Sequence, residues 1–150
     1  MTALRLDRFL PYRLSIVSNS VSAAVATSYQ ALFGLKIPEW RIIAVIAEGE
    51  AMTQQAIGAR TRMDKVTVSR AAIALVERGL LDRRPNPDDQ RSHLLSLSPA
   101  GRALYENVAP QALALEARMF GAFSADEIEH FTAMLDRIEA AAAALEPERT

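Results

Sequence analysis

The stretch DRRPNPDDQRSHLLSLSPAG, residues 82–101, most limits how this chain folds. Elsewhere the apolar residues recur with the period of helices. Here two short runs of strand-like composition flank a loop of Pro, Asn and Asp, and the leucines of HLLSLS alternate as they do along one face of a strand. The question it raises is why a mainly helical chain builds one exposed hairpin and puts Arg91 on it. The helices that precede it decide what the hairpin is for.

Leu10, Leu14, Val17, Val21, Val25 and Leu32 recur at helical spacings and predict one long amphipathic helix that Gly34 ends. Pro38 suits the first turn of a second helix, PEWRIIAVIAEG, with Trp40, Ile43, Ala44 and Ile46 supplying buried area and Gly49 the stop. Thr53 is placed to cap a third helix, TQQAIGART. A fourth, DKVTVSRAAIALVERG, starts near Asp64 and closes at Gly79. On it Val68, Ala71, Ala72 and Leu75 share one side, and Val66, Thr67 and Arg70 fall on the other near the N-terminus. Ser98 and Pro99 open a further helix that Pro110 is expected to kink. Ser124 and Glu127 form a capping box for the last, with Phe131, Leu135, Ile138 and Leu145 on one stripe. The chain is therefore predicted to be mainly α with one small β-hairpin.

Two short helices joined by a tight turn and ending in an exposed polar tip are the pattern of a helix-turn-helix, although an ordinary helical hairpin shares the same spacing. Ala56 and Gly58 offer little bulk where the two helices must approach. The tip supplies the chemistry: Lys65, Thr67, Ser69 and Arg70 carry donors for phosphates or base edges, Arg70 has the fork that matches guanine, and Val66 lies among them. Arg60 and Arg62 precede the tip, where phosphate contact is natural. Net charge is −1 for the 150 residues, but it is unevenly spread. Residues 53–93 hold 8 Lys and Arg against 5 Asp and Glu, whereas residues 94–150 hold 4 against 9. A basic middle section fits a polyanionic partner better than the net charge suggests.

A hairpin directly after the second helix of such a pair makes a winged helix, with strands near 80–84 and 93–97 and PNPDDQR as the wing tip. Arg84 and Arg91 are its candidate DNA contacts, since the narrow minor groove attracts arginine. Asp89, two residues before Arg91, is placed to hold the guanidinium in position. A chance arginine on an exposed turn is the plainer account of the hairpin taken alone.

From Thr53 to Gly101 the chain resembles the DNA-binding lobe of the MarR family. The matching elements are TQQAIGARTRMDKVTVSRAAIALVERGLL, the D-x-R of Asp89 and Arg91, and LSLSPAG in place of the family's L-T-x-x-G ending. IPEWRII and the helix after the wing fit as well. The resemblance implies a single MarR-like domain over 1–150, with a winged helix-turn-helix lobe at 38–101. It also implies a dimerisation region built from the N- and C-terminal helices, 1–35 and 105–150. It further implies a homodimer that grips a near-palindromic operator in double-stranded DNA, usually as a repressor, and release by a small aromatic or phenolic acid. In the family the effector cleft is bordered by segments that here carry Tyr12, Arg13, Asn19, Trp40 and Arg41, with Arg13 or Arg41 available to a carboxylate. Core packing for Trp40 and solvent exposure for the arginines are the competing roles.

Composition narrows the alternatives. With no cysteine, thiolate metal sites, thiol catalysis and cysteine redox sensing are excluded, and His93 and His130 are too isolated for a metal site, so no cofactor is expected. No phosphate-binding glycine loop, H-E-x-x-H or nucleophile elbow is present, which argues against an enzyme. No segment has the length and apolarity of a membrane span or a signal peptide, so a cytoplasmic protein without membrane contact is expected. The remaining rival is a winged-helix module for protein interaction or dimerisation that does not bind DNA.

Overall fold

The computed structural model describes residues 3–146. Its chain falls into two compact units, Met1–Ala109 and Pro110–Thr150. In the first unit a 3-10 turn at Leu6–Arg8 leads into α1 (Leu10–Phe33), followed by α2 (Ile37–Ala47), α3 (Gln54–Thr61) and α4 (Lys65–Glu77). Strands β1 (Leu81–Asn86) and β2 (Asp89–Leu97) come next, then α5 (Pro99–Phe120), which continues into the second unit.

The helix boundaries arise from local chemistry. Gly34 ends α1 in the left-handed region at φ 62°, where a side chain would be strained, and its amide donates to the Gln30 carbonyl. Pro38 lies in the first turn of α2, and the Glu39 carboxylate reaches back to accept from the Lys36 amide at 2.8 Å. Arg78, just past α4, donates from Nη1 to the Gly34 carbonyl at 3.1 Å, tying the ends of two helices together.

The core of this unit is the meeting point of α2, α3, α4 and the inner face of the hairpin. Leu35, Ile42, Ile43, Ile57, Leu75, Leu81, Leu95, Val68 and Val108 are its most completely buried side chains. Each such residue is worth roughly 1.5–3 kcal/mol of apolar transfer. The strands pair antiparallel, with Leu81 opposite Leu97 and Arg83 opposite Leu95. Met52 adds a one-residue bridge to Leu95 through bonds of 3.0 and 2.8 Å, which pins the loop before α3 to the hairpin.

The wing differs from its sequence-based limits. The strands extend to Asn86 and start again at Asp89, so the seven-residue loop predicted from PNPDDQR shrinks to the turn at Pro87 and Asp88. Side chains account for the difference. Asn86 accepts from the Asp88 amide at 3.1 Å and donates to Ser92 Oγ at 3.0 Å, prolonging the pairing through polar residues that lack strand propensity.

At the base of the wing Ser98 is buried. Its hydroxyl donates to the Gly79 carbonyl at 2.6 Å and accepts from the Gly101 amide at 3.0 Å, and its own amide donates to the Leu80 carbonyl at 3.1 Å. Gly101 packs so closely on Leu80 that an added Cβ would overlap the Leu80 carbonyl oxygen.

In the second unit α5 passes through Pro110 as one continuous helix, although proline removes a backbone donor there. Helix α6 (Ala125–Ala144) begins with the predicted capping box: Ser124 Oγ accepts from the Glu127 amide, and Glu127 Oε1 from the Ser124 amide. Phe120 and Phe123 face each other at 6.2 Å across the turn between the helices. No residue of α6 is buried, and Phe131, Leu135 and Ile138 are each 40–45% exposed. Among the described residues no helix is long and apolar enough to cross a membrane.

Candidate nucleic-acid interface

Helices α3 and α4 are joined by a turn of three residues, Arg62–Asp64. Thr53 caps α3 by accepting from the Ala56 amide at 3.1 Å. Arg62 then takes a left-handed conformation at φ 59° and donates from its amide to the Gly58 carbonyl at 2.8 Å. A side chain in that region costs roughly 1–2 kcal/mol relative to glycine.

Asp64 caps α4 with both carboxylate oxygens, Oδ1 accepting from the Thr67 amide at 2.8 Å and Oδ2 from the Thr67 hydroxyl at 2.9 Å. The hydrogen bonds from the Thr67 backbone and side chain, in that order, hold the Asp64 carboxyl below its ordinary value. The Thr67 hydroxyl is therefore already donating, which corrects the expectation that it is a free donor at the tip. Lys65, Val66 and Arg70 are exposed and Ser69 is half-buried, while Val68, Ala71, Ala72 and Leu75 face the core as their periodicity predicts.

Arg60 also has a different setting from the one expected. It lies in the last turn of α3 and donates from Nη2 to Glu48 Oε2 at 2.6 Å, with both side chains more than half exposed. Such a pair is worth about 0–1 kcal/mol, so it leaves Arg60 available to a stronger anion.

On the wing, Asp89 braces the backbone rather than the guanidinium: its Oδ1 accepts from the Arg91 amide at 3.0 Å. An Asp two residues before an amide closes this local turn readily, whereas a bond to the long arginine head must overcome more side-chain entropy. Arg84 and Arg91 are both exposed. Arg83, on the inner face of β1, bonds His93 Nδ1 from Nη2 at 3.1 Å, which fixes a pair that sequence spacing alone does not reveal. A depression of about 430 Å³ lies between the N-terminus of α3 and the wing, lined by Thr53, Gln55, Arg83, Asn86 and Arg91 among others.

The five effector candidates are less unified. Tyr12, Arg13 and Asn19 lie on an exposed part of α1, and Arg13 donates to the Asp7 carbonyl at 3.4 Å. Arg41 is exposed on α2. Trp40 is half-buried and engaged on both sides, by Tyr29 at 5.4 Å with rings tilted by 58° and by Tyr105 stacked at 6.0 Å. Burial raises the phenol of Tyr29 above its ordinary value. Sequence reading missed both tyrosines, since they come from α1 and α5 and have no local signal linking them to Trp40.

A family model described as the MarR family matches residues 33–92. No curated protein sequence matches the chain. Among solved structures, it is similar to a MarR/EmrR family transcriptional regulator from Acinetobacter sp. ADP1, with a TM-score of 0.86, 24% identity, and coverage of 95% of this chain and 100% of that one. A probable transcriptional regulator from Pseudomonas aeruginosa matches at TM-score 0.82 and 30% identity over 89% of this chain and 99% of its own. Bordetella bronchiseptica BpsR, whose DNA binding is regulated by 6-hydroxynicotinic acid, matches at TM-score 0.85 and 21% identity over 92% and 98%. With its helix-turn-helix, hairpin wing and flanking helices, the chain belongs to the MarR family and has the winged-helix fold of its transcriptional regulators.

Proposed function

We propose that this protein is a homodimeric, sequence-specific DNA-binding regulator that represses transcription from a near-palindromic operator. The observation that carries this reading is that Arg62, Lys65, Arg70, Arg84 and Arg91, from the helix-turn-helix and the wing, are all exposed. In such a lobe the N-terminal turn of α4 enters the major groove, Arg62 and Arg60 meet flanking phosphates, and Arg91 probes the minor groove.

The lobe comprises residues 38–101, and residues 1–35 and 105–150 provide the dimerisation region. In the second unit the exposed stripe of Phe131, Leu135 and Ile138 supports the latter, because a monomer rarely leaves so much aligned apolar surface in water. In a two-fold dimer the two α4 tips address major grooves about 34 Å apart. A ligand that favours another spacing of the lobes releases the DNA. A small aromatic acid is the proposed effector, on the example of BpsR and 6-hydroxynicotinic acid. Arg13 and Arg41 are its proposed carboxylate partners.

Fluorescence anisotropy with DNA selected by the protein itself and with a scrambled duplex tests the proposal. Tight binding to the selected site and a steep loss of affinity with salt are expected. Arg91→Ala should weaken both duplexes alike, and Arg70→Ala should narrow the gap between them. Salt-independent or undetectable binding to both duplexes would overturn it in favour of a winged helix that serves protein interaction.

A further inference from the structure

The tip of α4 carries one feature that phosphate contact does not use. Val66 is 58% exposed at the second position of the helix, between Lys65 and Thr67, which donates to the capping Asp64. It contributes little to the fold there: valine is a poorer helix former than alanine or glutamate, it caps nothing, and it does not complement the positive end of the helix dipole. A lone exposed valine is ordinary on a protein surface, so its surroundings must decide. Thr67 has its hydroxyl committed to Asp64 Oδ2, which leaves Lys65, Val66 and Arg70 as the exposed side chains of the first two turns, with Ser69 half-buried. Val66 and Arg70 are four residues apart and therefore lie one above the other on the same face.

We infer that Val66 reads the C5-methyl group of a thymine in the major groove, next to a guanine read by Arg70. The inference rests on the DNA-binding function proposed above. The thymine methyl is the one apolar group that a base edge presents in that groove, and an aliphatic side chain is its natural complement. Valine suits the task because β-branching leaves it essentially one rotamer in a helix, so little side-chain entropy remains to be lost on contact. One helical turn separates Val66 from Arg70 by about 5–6 Å, and the arginine is long enough to reach a base pair one or two steps away. The half-site is thus specified by an apolar group and a bidentate donor pair acting together, with Thr67 holding the tip in shape.

The test uses the full-length protein and a duplex selected from a random pool by the protein itself. Each thymine of the selected half-site is replaced in turn by deoxyuridine, which removes only the methyl group, and affinity is measured by anisotropy. One position should lose affinity about fourfold, the effect of unburying a single methyl. Val66→Ala should bind the thymine duplex more weakly by a similar factor and no longer distinguish thymine from uracil at that position. Circular dichroism will confirm that this exposed substitution leaves the helix intact. The inference is overturned if wild-type protein tolerates uracil at every position, if the selected half-site contains no thymine, or if Val66→Ala keeps the full discrimination. In each of those cases salt-dependent binding to the selected duplex persists and the regulator reading stands. Loss of all DNA binding by the wild-type protein would overturn both.

Discussion

Gly58 lies where α3 approaches α4, and the space around it is more permissive than a glycine suggests. An added Cβ would meet the Met63 carbonyl at 3.5 Å and Val68 Cγ2 at 3.8 Å, both ordinary contacts. Gly58→Ala should therefore raise stability by about 0.5–1 kcal/mol, seen as a higher urea midpoint, because alanine is the better helix former and nothing must move. A lower midpoint would mean that the two helices sit closer than described. Asp64, six residues on, makes stability depend on pH. Its folded value lies below 3.8, so its stabilising effect is complete above about pH 4 and disappears as the pH falls through the lowered value. Asp64→Asn keeps an acceptor for the Thr67 amide but removes the charge. The melting temperature of wild type should exceed that of this variant at pH 6, and the gap should close towards pH 2. Parallel melting curves across that range would show that the cap bonds carry no charge dependence.

At the scale of elements, the wing is the part whose geometry depends most on side chains. Asn86 and Asp89 shape its tip by bonding the backbone amides of Asp88 and Arg91. Asp89→Ala should lower DNA affinity by about 2- to 10-fold, the worth of one hydrogen bond spent on positioning, while the melting temperature stays within about a degree or two. A large drop in melting temperature would instead place the wing tip within the cooperative core. The contrast between α4 and the wing shows what sequence can reveal. The start of α4 was legible because an N-cap is a transaction between residues three apart, as Asp64 and Thr67 are. The wing's limits were not, because its strands persist through Pro85 and Asn86 by way of a bond from Asn86 to Ser92 that propensity does not encode. The same holds for Arg60, whose partner Glu48 lies 12 residues back in the turn after α2, and for Trp40, whose neighbours are 11 and 65 positions away at Tyr29 and Tyr105.

For the whole molecule, the apolar stripe of α6 bears on the state of assembly. If Phe131 and Leu135 meet a second copy, the double substitution Phe131→Glu, Leu135→Glu forces unpaired charges into that contact, at several kcal/mol. Sedimentation should then report a monomer with retained helical signal and a large loss of affinity for a two-half-site duplex. A variant that sediments like wild type would move the interface elsewhere. Within the first unit, Ser98 has a consequence of its own. Its bonds to Gly79 and Gly101, and the close contact of Gly101 with Leu80, fasten the end of α4, the root of the wing and the first turn of α5 at one point. The amides of Ser98 and Gly101 cannot be released singly, so in deuterium exchange they should share one opening rate and slow together. Replacing Ser98 with alanine should speed both by a common factor, because a single event exposes them.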